Sequence, residues 1–134
     1  MITIYNNLHQ EEETPLLINK KLLYEYKEAG DNYLVDVKRE LTRSLVDYKV
    51  FQQLQQINNS FFVIIDYLDC EHYTRVKDVI EDKNRLANNI NLFLRPCKSY
   101  LSLDIYDCIY EDLQGLINTM TKLVATVQMI NKNK

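Results

Sequence analysis

A chain of 134 residues with 46% hydrophobic and 26% charged side chains is long enough to bury one core and too short for two of comfortable size, and its composition excludes a chain disordered throughout. Only two glycines and two prolines occur, too few turn residues for a sheet protein of many short strands, so a few long helices are expected. A net charge of −3 supplies no positive field to gather phosphates, which argues against nucleic acid as a partner.

Residues 1–13 begin with an apolar–polar alternation (Ile2, Ile4) and run into Gln10 and three glutamates with no apolar stripe to bury, so a flexible N-terminal arm is expected, with the folded domain over 14–134. Met1 to Tyr5 carries neither the basic nor the apolar region of a secretory signal. Thr14-Pro15 reads as a helix start, with Thr as cap and Pro at the first helical position. The first helix is expected from Pro15 to Ala29, stopping at Gly30, and Asp31 or Asn32 caps the second directly, giving an antiparallel hairpin.

The second helix presents Leu34, Val37, Leu41, Ser44, Tyr48 and Phe51 at 3-4 spacing, widened by Leu45 and Leu54, and ends near Ile57 before Asn58-Asn59-Ser60. Ser60 then caps a third helix that keeps helical spacing through Phe61, Leu68, His72, Val76, Leu86, Ile90 and Phe93 to Arg95-Pro96. Residues 61–65 alone could also form a buried strand; helix is preferred because no partner strand with turn signals appears elsewhere. Ser99 or Ser102 caps the fourth helix, whose stripe Ile109, Leu113, Leu116, Met120, Leu123, Val127 and Ile130 follows 4-3 spacing without a gap. The expected fold is all-α: an antiparallel bundle of four main helices with a short N-terminal arm.

Three cysteines, Cys70, Cys97 and Cys108, form no C-x-x-C pair and suggest neither a disulfide framework nor a zinc site, so a reducing, cytoplasmic setting is expected. No apolar run is long enough to span a membrane. Lys38, Arg39 and Arg43 form the best basic patch, but Asp36, Glu40 and Asp47 interleave with them as on a solvated helix face. Glycine-rich phosphate loops, H-E-x-x-H and E-x-x-H couplets are missing. His72 and Cys70 stand two apart, where helical side chains diverge, so they suit neither a shared metal nor a nucleophile and base.

Two acidic couplets at helical spacing, Asp78-x-x-Glu81 and Asp104-x-x-Asp107, are the one enzymatic lead, since four converging carboxylates would hold Mg²⁺. The pair resembles the motif of the all-α nucleoside triphosphate pyrophosphatases of the MazG and dimeric dUTPase type, with Asp at 78 and 104 where that family uses Glu. The resemblance covers those four positions and implies a Mg²⁺-dependent nucleotide hydrolase. A shorter segment, Leu22-x-x-x-Tyr26-x-x-Ala29-Gly30-Asp31, is similar to the amphipathic helix with which apoptosis regulators dock into an apolar groove, with tyrosine at the central leucine position.

The reading these features favour is a helical-bundle protein-interaction module without an enzymatic role or cofactor: a small subunit, adaptor or regulator that contacts a protein partner, itself or another helical protein. Its packing or interface stripe would be Leu34, Val37, Leu41, Tyr48 and Phe51 with Ile109, Leu113, Leu116, Met120, Leu123, Val127 and Ile130. The Mg²⁺ hydrolase is one alternative, and a pathogen-encoded modulator of host signalling is another. Ten tyrosines and no tryptophan fit half-buried rims and protein interfaces alike.

Overall fold

The computed structural model describes residues 14–133, so the N-terminal arm expected over 1–13 lies outside the described residues. Four helices occur among them: α1 Lys20–Arg43, α2 Tyr48–Asp69, α3 Val76–Tyr100 and α4 Leu103–Ile130. No strand is present among the described residues, and 61–65 is helical. Each helix packs on the next through a short connection, and α4 returns to pack most extensively on α1. The result is an up-down-up-down antiparallel bundle. No helix among the described residues is long and apolar enough to cross a membrane.

The second helix, expected to run through Ser44 and Tyr48 to near Ile57, is broken at 44–47, where α1 ends and α2 begins, and the boundaries depart from the expected ones in three further places. Gly30 does not end a helix; it lies buried inside α1, because a Cβ there would stand 2.2 Å from Cζ of Phe61. Glycine serves close approach here, so the hairpin expected at Gly30-Asp31 is replaced by one continuous helix of 24 residues. That helix starts at Lys20, not Pro15, with the Asn19 side chain accepting from the Leu22 N–H at 3.1 Å.

The second departure is that α2 runs straight through Asn58-Asn59-Ser60 and stops at Asp69. Glu71 takes the left-handed conformation (φ 61°), the Glu71 N–H reaches the Leu68 carbonyl and the His72 N–H the Tyr67 carbonyl at 2.8 Å. This is the six-to-one and five-to-two pairing of a Schellman stop, and the His72 ring closes it by stacking on Tyr67 at 4.1 Å. The third helix expected from Ser60 is therefore divided between α2 and α3. Finally, Pro96 lies inside α3, which continues to Tyr100. Proline cannot donate to the Leu92 carbonyl, but both residues are exposed and water can take that bond.

Residues 14–19 form an extended strap across the end where α1 and α3 begin and α2 and α4 finish. The Leu16 N–H bonds the Tyr73 carbonyl at 2.9 Å and its side chain is buried. Asn131, buried just after α4, accepts from the Leu17 N–H and donates to the Leu17 carbonyl, both at 2.8 Å, while also donating to Val127. At the same end Lys20 bonds the Asp69 carboxylate at 3.0 Å and the Asp69 carbonyl, and Lys20 holds the Asp69 carboxyl below its ordinary range.

Candidate functional site

The four acidic positions 78, 81, 104 and 107 do not meet. Asp78 and Glu81 stand in the first turns of α3, whereas Asp104 and Asp107 open α4, which begins where α3 ends. Twenty-odd residues of helix at 1.5 Å each separate the couplets by about 33 Å. Asp78 pairs with Arg75 at 3.5 Å and Glu81 with Lys77 at 3.9 Å. Among the described residues no cluster of three or more His, Cys, Asp or Glu could hold a metal ion.

The groove-docking resemblance also resolves into packing: Leu22 and Tyr26 are half-buried, Tyr26 shares a hydrogen bond with Thr126 across α1 and α4 (3.2 Å), and Gly30 lies under Phe61. Arg39 and Arg43 pair with Asp36 and Glu40 on their own helix, at 3.1 and 3.7 Å.

Of the twelve stripe residues, Leu34, Val37, Leu41, Ile109, Leu113, Leu116, Met120, Leu123 and Val127 are buried within the chain, and Phe51 is half-buried. These side chains satisfy one another and are not available to a partner. Tyr48 and Ile130 are exposed instead.

One group of exposed apolar side chains lies where the Ser44–Asp47 and Leu101–Ser102 turns come together. Leu45 is 92% exposed, Tyr48 72%, Leu103 70% and Tyr100 47%. Beside them an open groove of about 510 Å³ is lined by Leu45, Val46, Val50, Pro96 and Tyr100 together with the polar Ser44, Asp47, Lys49 and Gln53. The Tyr100 hydroxyl lies 3.4 Å from the buried Cys97 thiol, and burial first, then that contact, pushes the phenol well above its ordinary range, so it stays protonated. Leu17, Met129 and Ile130 are exposed at the opposite end.

Leu45 is unusual in its backbone as well. It follows the α1 cap Ser44 in the left-handed conformation (φ 54°), a position that favours glycine or asparagine and costs another residue about 1 kcal/mol. The chain thus holds a leucine in a strained conformation with almost no packing in return. Leu45→Asn should melt at or slightly above the wild-type temperature, because the strain is relieved and no core contact is lost. A fall of several degrees in a circular-dichroism melt would show that Leu45 supports the fold.

The acidic side chains of α4 border this apolar end. Asp104, Asp107, Glu111 and Asp112 enter no ion pair among the described residues. Partial burial, then the neighbouring charges of Asp36, Glu111 and Glu40, raise the Asp112 carboxyl above its ordinary value. A raised carboxyl opposes folding at neutral pH, and that cost fades as pH falls through the folded-state value. Cys108, exposed between these acids, is raised as well, by desolvation and then by Glu40, Glu111, Asp112 and Asp104. A raised thiol is a weak nucleophile.

Compared with protein-family models, curated proteins and solved structures, the chain matches none of them.

Proposed function

We propose that the chain is a non-enzymatic protein-interaction module, a small subunit, adaptor or regulator, that receives its partner at the end of the bundle carrying Leu45, Tyr48, Tyr100 and Leu103. The observation that carries this reading is Leu45, an almost fully exposed leucine kept in a left-handed conformation where glycine or asparagine would stabilise the fold. Strain and exposed apolar area are both costs to the free chain, and a partner that covers the leucine would offset them. Two of the three free thiols are exposed, which is compatible with a reducing, cytoplasmic setting.

Photo-crosslinking tests the reading. A benzophenone amino acid placed at position 45 should yield one discrete protein adduct in the cells that express the chain, and the same group at the exposed position 118, on the outer surface of α4, should not. Identical adducts from both positions, or none from position 45, would remove the support for a docking end.

A further inference from the structure

The ten residues that open α4, Leu103 to Asp112, include four carboxylates and no lysine or arginine, and the next cation along the helix is Lys122. Asp104 complements the positive end of the helix dipole, but that effect fades after the first turn and does not account for Glu111 or Asp112. Asp36 and Glu40 of α1 add to the same field, though each has an arginine of its own. The same stretch exposes Leu103 and Tyr110, with the Tyr106 and Tyr110 rings 6.1 Å apart. An acidic row without ion pairs among the described residues therefore runs along α4 from the end that carries Leu45, Tyr48, Tyr100 and Leu103, where Lys49 in the groove is the nearby cation on α2.

Building on the docking end proposed above, we infer that the partner presents a basic amphipathic helix, whose apolar side chains cover Leu45, Tyr100 and Leu103 while its lysines or arginines face Asp104, Asp107 and Glu111. Leu103 to Asp112 spans about 14 Å of helix, enough for two to three turns of such a partner. A second copy fits less well, because a two-fold contact through this end brings one acidic row against another.

The probe is a fluorescent helical peptide of about 18 residues made of leucine and lysine, with its leucines at 3-4 spacing, titrated against the full chain. A scrambled peptide of the same composition and a leucine–glutamate counterpart serve as comparisons. The amphipathic basic peptide should bind at least about tenfold more tightly than either. The triple variant Asp104→Asn, Asp107→Asn, Glu111→Gln should weaken it about tenfold and flatten its salt dependence. Leu45→Asn should weaken it while leaving the salt dependence in place. Asp78→Asn with Glu81→Gln, at the far end, should change neither.

Equal binding of the scrambled peptide, an unaffected triple variant, or an equal effect of the far-end variant would overturn the inference. A concentration-dependent dimer in light scattering that Leu103→Ser abolishes would overturn it too, by assigning the end to a second copy. If position 45 crosslinks a partner whose capture the triple variant leaves intact, the docking end stands and the basic partner falls.

Discussion

Gly30→Ala should lower the melting temperature by roughly 5–10 °C, although alanine is the better helix former by about 1 kcal/mol. The added Cβ would sit 2.2 Å from Cζ and 2.5 Å from Cε1 of Phe61, whose ring is fully buried. Forcing α1 away from α2 or the ring off its rotamer costs about 1–3 kcal/mol or more beyond the propensity gain. Gly115 is the internal control. A Cβ there meets the Tyr33 ring at 2.5 Å, but Tyr33 is half-buried and can turn outward, so Gly115→Ala should be close to neutral. Adding Phe61→Leu to Gly30→Ala should recover part of the loss, a coupling that chemical denaturation of the double-mutant cycle reads directly. A Gly30→Ala chain as stable as the wild type would contradict the close approach of α1 to α2.

Replacing Asn131 should release the strap over 14–19. Asn131→Ala removes both bonds to Leu17 and leaves a part-buried N–H and carbonyl unpaired, at a cost of about 1–3 kcal/mol. Asn131→Asp should be worse at neutral pH, because a buried carboxylate would face the Leu17 and Val127 carbonyls with no proton to donate. Burial raises such a carboxyl in the folded state, so the penalty is greatest above the folded-state value and shrinks as pH falls through it. Melts of the two variants at pH 7 and at about pH 4 should therefore converge or reverse order. Hydrogen exchange at the Leu16 and Leu17 amides should accelerate in both variants. Unchanged exchange would show that Asn131 does not hold the strap.

The fold class was legible because the α4 stripe keeps 4-3 spacing from Ile109 to Val127 and Ser102, one of the two caps the sequence offers, accepts from the Ile105 N–H. Boundaries that depend on distant contacts were not legible. Gly30 reads as a stop locally, and only Phe61, 31 residues later, reveals it as a point of close approach. The α2 stop was hidden because glutamate occupies the left-handed position and a histidine–tyrosine stack closes the motif.

The candidate site was concealed for a related reason. Leu45 and Tyr48 continue the spacing of Leu34, Val37 and Leu41, so they read as core, but α1 ends at Arg43 and the turn after it swings both side chains into solvent. The acidic couplets had the right spacing within each helix, and the length of α3 between them is what keeps them apart.

Leu45→Asn compared with the wild type in two readouts, thermal melting and capture of the protein that crosslinks at position 45, tests the central claim most directly. The account predicts that the variant melts at or above the wild-type temperature while partner capture falls at least about tenfold. A variant that captures the partner as well as the wild type, whatever its melting temperature, would contradict the assignment of this end of the bundle as the docking surface.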